Sequence, residues 1–490
     1  MVDVPGKVAC GEVRYENDAR FDVPVLIVYP EFDPDQARQW IEAGDVPELA
    51  RAKHPIAVRQ RVRTGHRYSL FVHRRGPERD FTDAQNLEVR GAETSVLTRS
   101  ATMYAMATTQ TNWNSRYGSA FELLVERVRT TETEVGSAWP YHSDPSSGIW
   151  ETTDDGDWCG GHWVECLRIA SVATGDARLQ DAAMNRTERL RPYLERDDQF
   201  RGHRFYYSAA RQFDAFGDPR MRTLALAAAY AMRSMAMKAN GAMPIGTQVQ
   251  VKSTTLASRS IVAVDNVHPN VQLDWWARRT TQDAAFEHGV RRHLDTTIRD
   301  FVRPDGSTVE FIEYDPETGH PLREFTLLGA HDHSCWSRGQ AWAIAGYLRA
   351  WEELGDTRYL DVARKLLAYW TANSDATMVP PWDFMDPSLV DNPGAVPVDT
   401  SASAIVVEQL ARIAVHPSLG AQAPDLVHTM HIMLNGLLGH LTETTDAKPG
   451  RLRNGCFNQP NRFANHSELV WGSAYLLFAL HYLKHDVAPA

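Results

Sequence analysis

Cysteine is scarce in this sequence, and its spacing argues against two common uses of the residue. The 490 residues include five cysteines, an odd number, and no two of them form a CxxC pair. Zinc sites and disulfide frameworks use paired cysteines, whereas unpaired cysteines are typical of a reducing compartment. The opening stretch also lacks the basic and then apolar run of a signal peptide, so we expect a cytoplasmic protein.

Long apolar runs and an excess of positive charge are also missing. No apolar run approaches the roughly 18 residues that a membrane-spanning helix requires. Lysine and arginine number 51 against 62 aspartates and glutamates, which gives a formal net charge of −11. Nucleic acids and anionic membranes both bind proteins through basic patches. We therefore expect neither partner, and an acidic ligand must be met by a few local arginines.

Motifs that would place a nucleotide, a nucleophilic serine or a catalytic metal are absent. The sequence has no GxSxG, no P-loop, no GxGxxG after a strand and no HExxH. Its nineteen histidines are scattered without matched ligand spacing. Asp154, Asp155 and Asp157 look like part of a calcium loop, but the glycine and distal glutamate of such a loop are missing. We expect no metal ion and no cofactor.

The character of the chain changes after about the first hundred residues. The runs VPVLIVYP, IAVRQRV and HRYSLFVHR are short, rich in β-branched residues, and bounded by proline, glycine or charge. Such runs predict strands. Farther along, apolar residues recur at helical spacing in segments of about ten to twenty residues. We therefore predict a small β-rich segment at 1–105 and a mainly α-helical domain at 106–490.

The helical part contains about twelve amphipathic segments, several of them joined in the same way. ASVATGDARLQDAA, RQFDAFGDPRMRTLA and RAWEELGDTRYLDVA each predict a helix, a Gly-Asp turn and a second helix. The glycine suits the left-handed end of one helix, and the aspartate caps the next. Repeated hairpins form a solenoid or a closed ring, and their varying period argues against a solenoid. We predict an (α/α)6 barrel, with the functional site at one face of the double ring.

The stretch SCWSRGQAWAI is unusually rich in aromatic and polar side chains for a core helix. It places Trp336, Arg338, Gln340 and Trp342 within one short run. In a helix that begins near Ser337, Arg338 and Trp342 share a face. A guanidinium suits a carboxylate, and an indole face suits the C–H face of a sugar ring. The alternative is that the tryptophans are core and Arg338 caps a neighbouring helix.

Asp265 follows an apolar run in SIVAVDNVHPNVQLDWWARR, just before a predicted helix. As an N-cap it would satisfy free backbone N–H groups. As a catalytic acid it would lie at the mouth of the barrel, where apolar surroundings raise the pKa of a carboxyl. The spacing alone leaves both interpretations open.

Two other helix starts carry candidate ligand-binding side chains. In TTDDGDWCGGHWVECL, Trp158 and His162 flank two glycines, which allow close approach of a ligand. In VDTSASAI, Ser401 and Ser403 lie beside free N–H groups, which suits an anion or a sugar hydroxyl. Each stretch could equally be a structural helix start.

Taken in order, these segments resemble glycoside hydrolase family 88, the unsaturated glucuronyl hydrolases, with the rhamnogalacturonyl hydrolases of family 105 as relatives. The similar segments lie between about residue 150 and the C-terminus: WCGG, VDN, RPDGST, DPETG, SCWSRGQAWA, PPWDF, DTSASA and ELVWGSAYL. The resemblance implies an (α/α)6 barrel and an oligosaccharide substrate ending in a 4,5-unsaturated uronic acid. In the family an aspartate protonates C4 of the vinyl ether and activates the water that adds at C5, and the hemiketal then collapses.

By position in this resemblance, the proton donor is Asp265, a role that is compatible with an N-cap. The motifs and the resemblance together predict a larger set of substrate-binding side chains. These are Trp336, Arg338, Gln340, Trp342, Trp158, His162, Arg204, His268, Ser401 and Ser403.

Three positions depart from the family's pattern. Where the family has a second aspartate, the corresponding stretch RGHRFYY offers His203 and Arg204 but no carboxylate. A histidine shortly after RPDGST becomes Glu310, and a glutamine becomes Leu328. Glu310 and Asp265 could form the carboxyl pair that hydrolysis of an intact uronide needs, whereas His203 could act as a base at neutral pH.

The function expected from the sequence is hydrolysis of an oligosaccharide that ends in a 4,5-unsaturated uronic acid. Two alternatives stay open at this point. One is a hydrolase or lyase of saturated glucuronides that pairs Asp265 with Glu310 or His203. The other is a sugar-binding protein that has lost catalysis. The sequence also leaves open a homo-oligomer.

Overall fold

The computed structural model describes residues 116–249 and 256–485, together with five strands nearer the N-terminus. The chain divides into two compact units, residues 1–112 and 113–490. The boundary predicted at residue 105 falls outside the described residues and stays a prediction. Among the described residues, no helix combines the length and apolar character needed to cross a membrane.

The five strands of the first unit form an antiparallel sheet. They are β1 (Val13–Glu16), β2 (Val25–Val28), β3 (Val58–Arg63), β4 (Arg67–Val72) and β5 (Leu87–Glu88). The order across the sheet is β1-β2-β4-β3, and β5 also pairs with β4. Three of these strands lie in the runs predicted as strands, so the β-rich character of this segment is confirmed.

Fourteen α-helices lie in the described part of the second unit. They are α1 (Gly118–Val135), α2 (Gly160–Thr174), α3 (Ala177–Leu190), α4 (Arg211–Phe216), α5 (Pro219–Arg233), α6 (Pro269–Thr281), α7 (Ala284–Phe301), α8 (Ser337–Leu354), α9 (Thr357–Ala372), α10 (Ser388–Asp391), α11 (Thr400–Val415), α12 (Pro417–Gln422), α13 (Pro424–Leu438) and α14 (Val470–His485). A π-helix, Gly202–Ala210, runs directly into α4.

Six of these helical segments close into an inner ring. In order around it, α2 packs against the π-helix, then come α6, α8, α11 and α14, which returns to α2. The outer helices α3, α5, α7, α9 and α13 pack against the inner segments, and α1 packs against α14 and α2. Inner helices are buried on all sides: every residue of α8 from Ser337 to Trp351 is buried. The predicted (α/α)6 barrel is therefore confirmed.

The predicted Gly-Asp turns join inner to outer helices in three hairpins. Each turn begins with a glycine in the left-handed region, at φ 71° for Gly175, 72° for Gly217 and 66° for Gly355. The aspartate that follows accepts a hydrogen bond from the backbone N–H two residues later. A residue with a Cβ would be strained at these glycines, so the local sequence sets the direction of each hairpin.

Two small antiparallel sheets lie between the helices. One contains β6 (Trp139–Ser143), β7 (Trp150–Thr153) and β11 (Glu468–Leu469); the other contains β8 (Ile261–Ala263), β9 (Phe311–Tyr314) and β10 (Pro321–Phe325). In the second sheet Ala263 lies opposite Phe311, and the Val264 N–H donates to the Glu310 carbonyl at 2.9 Å. This pairing brings the segments of Asp265 and Glu310 side by side.

Four of the five cysteines lie among the described residues, and all four are free and buried. Within that part of the chain, the prediction of no disulfide is consistent with the structure. Cys10 lies outside the described residues.

Candidate active site

One pocket lies where the N-terminal ends of the inner helices converge. The space between its walls, including the part open to solvent, is about 630 Å³. Its wall consists of Trp158, Gln199, Phe200, Ile245, Val249, Leu256, Asp265, Glu310, Phe311, Leu327, Leu328, Trp336, Arg338, Trp342 and Phe457. The wall is largely aromatic and aliphatic with a few polar groups, which is the usual composition of a small-molecule site.

Asp265 lines this pocket and is partly exposed to it. It lies in a short 3-10 turn, Val264–Val267, directly after β8. Burial raises the pKa of its carboxyl to about 6, against the opposing effect of the positive charge of Arg338. A carboxyl with this pKa holds its proton in mildly acidic solution and can donate it to a substrate.

The N-cap interpretation of Asp265 is wrong for the helix that follows. Helix α6 begins at Pro269, and its N-cap residue is His268, which makes no side-chain cap. Asp265 therefore lies too far from the end of α6 to satisfy its free N–H groups. The interpretation as a catalytic acid stays a prediction.

Glu310 is the second carboxyl group of the pocket. Its Oε2 accepts hydrogen bonds from the backbone N–H of Leu327 at 2.9 Å and of Leu328 at 3.0 Å, and from the Thr326 hydroxyl. Its Oε1 is buried and has no hydrogen-bond partner. Burial raises the pKa of Glu310 to about 7 despite these hydrogen bonds, and the negative charge of Asp265 raises it further. The two carboxyls are thus close enough to influence each other.

Arg338 also lines the pocket, and its guanidinium lies beside three aromatic rings. Its guanidinium carbon is 4.6 Å from the ring centroid of Trp336. Its Nη1 forms a salt bridge with Asp399 and donates to the Cys456 carbonyl at 2.8 Å, while its Nη2 donates to the Phe457 carbonyl at 2.7 Å. These bonds occupy both hydrogens of Nη1 and one of the two on Nη2, and Arg338 also lines the pocket, so its role toward a substrate carboxylate stays a prediction. Arg338 holds the 456–457 segment against α8.

Comparison with known proteins finds enzymes to which this chain is similar. No family model matches the chain. The unsaturated glucuronyl hydrolase of Bacillus sp. (strain GL1) is 27% identical over 384 residues, which are 76% of this chain and 97% of that protein. The unsaturated chondroitin disaccharide hydrolase of Streptococcus agalactiae is 24% identical over 341 residues, 68% of this chain and 83% of that protein. The crystal structure of the Bacillus sp. GL1 enzyme, described as responsible for the degradation of glycosaminoglycan, matches at a TM-score of 0.66 with 25% identity, over 77% of this chain and 98% of that one.

The chain is thus similar to unsaturated glucuronyl hydrolases over nearly their whole length, in agreement with the resemblance to glycoside hydrolase family 88. The more distant relationship to family 105 stays a prediction.

Gln340 does not reach the pocket, contrary to prediction. Its Nε2 donates to the carbonyls of Gly306 at 2.8 Å and Leu366 at 3.1 Å. Two residues along an α-helix turn the side chain through about 200°, so Gln340 faces α9 when Arg338 faces the pocket. Its role is to satisfy backbone carbonyls in the core.

Arg204, predicted to bind substrate, likewise lies inside the protein and does not line the pocket. Its Nη1 pairs with Asp198 at 2.9 Å, its Nε donates to the Asp157 carbonyl at 2.8 Å, and its guanidinium lies 3.7 Å from the ring centroid of Tyr193. A fully buried arginine with these partners is not available to a substrate. Phe200, one turn earlier, lines the pocket instead.

His203 lies behind the pocket wall rather than in it. Its ring is 5.3 Å from that of Trp158 and 5.4 Å from that of Trp342, both edge to face. Burial holds the pKa of His203 well below its usual range. The structure thus gives no support to His203 as a base that contacts substrate. The histidine ring instead packs against the two tryptophan rings from behind the pocket wall.

His162 and His268 occupy the same layer beneath the wall. His162 lies 3.2 Å from the Tyr475 hydroxyl, and His268 stacks on Trp342 with ring centroids 5.9 Å apart. Neither is among the residues that line the pocket. Of the aromatic and histidine predictions, the structure brings Trp158, Trp336 and Trp342 to the pocket and leaves the histidines as their support.

Ser401 and Ser403 both have partners inside the barrel. The Ser401 hydroxyl donates to Asp399 at 2.7 Å and lies 3.3 Å from Nη1 of Arg338. The Ser403 hydroxyl donates to the Met378 carbonyl at 3.0 Å. Ser401 therefore acts on the pocket only through Asp399 and Arg338, and Ser403 is structural.

Sequence reasoning missed much of the wall beside the two carboxyls. Gln199 lines the pocket, and its side-chain oxygen is buried without a partner. The missed apolar residues are Phe200, Ile245, Val249, Leu256, Phe311, Leu327 and Phe457. One signal was available: Leu328 and Glu310 were recognised as departures from the family, and their neighbours Leu327 and Phe311 line the pocket with them.

Proposed function

We propose that this protein hydrolyses oligosaccharides whose non-reducing end is a 4,5-unsaturated glucuronic acid. The observation that carries the proposal is Asp265, a carboxyl with a raised pKa in an aromatic pocket. Similarity to the relatives supports the substrate class, because they are named for unsaturated glucuronyl and chondroitin disaccharide substrates.

The chemistry requires one group that first gives and then takes a proton. Protonated Asp265 delivers its proton to C4 of the double bond, and the positive charge that develops at C5 is shared with the ring oxygen. The resulting carboxylate takes a proton from water as the water oxygen bonds to C5. The hemiketal opens and the anomeric carbon releases the remaining sugar, so one water is consumed and Asp265 is regenerated.

The aromatic wall provides the binding surface for a sugar ring. Trp158, Trp336 and Trp342 offer indole faces and edges to the C–H groups of a pyranose. The Nε1 of Trp342 is buried and has no partner in the protein. An N–H donor and a buried amide oxygen on Gln199 are suited to sugar hydroxyl groups, which both donate and accept.

A substrate panel tests the proposal. The unsaturated glucuronyl disaccharide is incubated with the protein, and loss of the near-ultraviolet absorbance of its conjugated double bond is followed. We expect turnover that falls about a thousandfold in Asp265→Asn. Asp274→Asn is a matched control, because burial also raises the pKa of Asp274 to about 6, yet Asp274 pairs with Arg233 outside the pocket. Turnover that is unaffected by Asp265→Asn contradicts the proposal.

A second candidate function rests on the carboxyl pair. Asp265 and Glu310 line one pocket and influence each other's charge, and two carboxyl groups are what hydrolysis of a saturated glucuronide needs. Release of an aglycone from a saturated glucuronide, with no loss of the unsaturated disaccharide, would favour this function. Saturable sugar binding without turnover of either substrate would favour a binding protein. The cytoplasmic location and a homo-oligomer stay predictions.

A further inference from the structure

The carboxyl group of Glu310 is bonded asymmetrically. Three donors converge on Oε2: the N–H groups of Leu327 and Leu328 and the hydroxyl of Thr326. None reaches Oε1, which is buried and without a partner. An oxygen that already accepts three hydrogen bonds has no room for a proton, so a protonated Glu310 carries its hydrogen on Oε1.

The pocket offers little else to a negatively charged ligand. Among the described residues that line it, Arg338 is the cationic one. Its charge is balanced by Asp399, and both of its Nη atoms are bonded to the protein. The carboxylate of a uronic acid therefore meets no uncompensated positive charge among the described residues that line the pocket, although its burial requires a hydrogen-bond partner.

We propose that Glu310 binds the carboxylate of the substrate's terminal uronic acid as a neutral acid, donating a hydrogen bond from Oε1. The inference rests on the proposed function for the identity of the uronic acid. A hydrogen bond from a hydroxyl to a carboxylate is short and strong, and needs no counter-ion. Glu310 is then a substrate-binding residue that also sets specificity for uronic acids over neutral sugars.

The protonation of Glu310 makes the binding depend on pH in a defined direction. The pKa of Glu310 is raised to about 7, so the donor is present in acid and is lost as the pH rises through neutrality. Asp265 faces Glu310 from the turn after β8 and carries the charge that acts on it. Asp332 accepts a hydrogen bond from the Thr326 N–H, and Asp383 accepts one from the Ala330 N–H. Both aspartates thus hold the 326–330 segment, which bonds Oε2 of Glu310.

Glutamine is the matched replacement for this role. Three donors require an oxygen at the Oε2 position, so the amide nitrogen of Glu310→Gln takes the Oε1 position and donates as the protonated acid does. Unlike the acid, the amide keeps its hydrogen at every pH. Glu310→Ala removes the donor altogether.

The experiment measures binding without turnover. Glucuronate and its neutral amide, glucuronamide, are titrated into wild-type protein, and the fluorescence of the pocket tryptophans is followed. Between about pH 5.5 and 8.5 we expect the dissociation constant for glucuronate to rise roughly thirtyfold in the wild type, because only the protonated fraction binds. We expect the constant for Glu310→Gln to change little and to stay near the wild-type value in acid. Glu310→Ala should bind glucuronate weakly at both pH values, and glucuronamide should show little pH dependence.

Three results would overturn the inference. They are wild-type affinity for glucuronate that does not change with pH, a Glu310→Gln variant that binds as weakly as Glu310→Ala, and no binding of glucuronate at any pH. A pH dependence that persists in Glu310→Gln would assign it to Asp265 and also count against the inference. Because binding and turnover are measured separately, failure to hydrolyse the unsaturated disaccharide strikes the proposed function and leaves this test intact.

Discussion

The barrel interior and the pocket both bury carboxyl groups, and they treat them in opposite ways. In the interior, Glu352 accepts from Arg349 at 3.1 Å and from Arg412 at 2.8 Å, and these cations hold its pKa near 2 although burial opposes them. In the pocket, burial is the largest effect on both Asp265 and Glu310, and their pKa values rise to about 6 and about 7.

The difference shows that burial alone does not decide the state of a carboxyl group. Burial raises the pKa in both regions, and the two guanidinium groups beside Glu352 outweigh it, whereas the single Arg233 beside the buried Asp274 does not. Paired carboxyls bind helices together, whereas unpaired ones keep a proton that a reaction or a ligand can use. We therefore infer structural roles for the paired carboxyl groups of the interior and chemical roles for the carboxyl groups of the pocket.

The largest expected effect comes from breaking a pair in the interior. Glu352→Gln leaves the buried Arg349 and Arg412 without their shared carboxylate, and should lower the free energy of unfolding by about 3–5 kcal/mol. Chemical denaturation measures the change. The control is Glu310→Gln, which meets the same burial but neutral donors, and should alter stability by less than about 1 kcal/mol. Equal losses of stability in the two variants would contradict a difference between the interior and the pocket carboxyls.

Glu408 is an interior carboxyl that lacks a paired cation, because its near neighbour is Nε2 of His268 at 3.9 Å and burial holds the pKa of that histidine well below its usual range. Both of its oxygens are buried and lack hydrogen bonds, and burial raises its pKa to about 7. Because the folded protein binds the Glu408 proton more tightly than the unfolded chain does, protonation of Glu408 stabilises the folded state. This contribution is complete below the unfolded pKa and is lost as the pH rises through about 7. Glu408→Gln stays neutral, so it should be more stable than the wild type by about 2–3 kcal/mol at pH 8. At about pH 4 the two should unfold alike; a variant less stable at pH 8 contradicts the assignment.

The sequence predicted the turns and helices, which depend on residues close together in the chain. It did not predict the contacts that depend on residues far apart in the chain. The Gly-Asp turns need only adjacent residues, and helical spacing located the inner and outer helices. Arg338 appeared free in SCWSRGQAWAI because its partner Asp399 lies 61 residues away. The meeting of Asp265 with Glu310 depends on the pairing of β8 with β9, which no local pattern specifies.

The missed wall residues have the same physical explanation. Gln199 and Phe200 precede the π-helix, and their neighbours His203 and Arg204 carry more conspicuous chemistry. Only the three-dimensional path of that segment turns Phe200 toward the pocket and Arg204 toward Asp198. Side-chain direction at a helix start is set by packing, so residue type alone pointed to the wrong members of the segment.

The dependence of the rate on pH is a smaller effect that probes the pocket directly. Asp265 must be protonated to act, and its pKa is about 6, so kcat/KM should fall about tenfold per pH unit above that value. Where Glu310 also loses its proton, near pH 7, the slope should steepen. In Glu310→Gln the steeper part should disappear. A rate that rises with pH through this range would show that Asp265 acts as a base from the start.

The smallest expected effect is a gain in stability from the catalytic carboxyl. Above pH 6 the folded protein holds Asp265 ionised against the cost of burial, so Asp265→Asn should raise the free energy of unfolding by about 1 kcal/mol at pH 8. The gain should vanish in acid, where the wild-type carboxyl is protonated. Asp399→Asn is the opposing control, because it leaves the buried Arg338 without its salt bridge and should lower the free energy of unfolding. Thermal unfolding of both variants at two pH values separates them. A loss of stability in Asp265→Asn would place this aspartate with the structural carboxyls of the interior, since a residue kept for chemistry costs the fold energy and a residue kept for pairing supplies it.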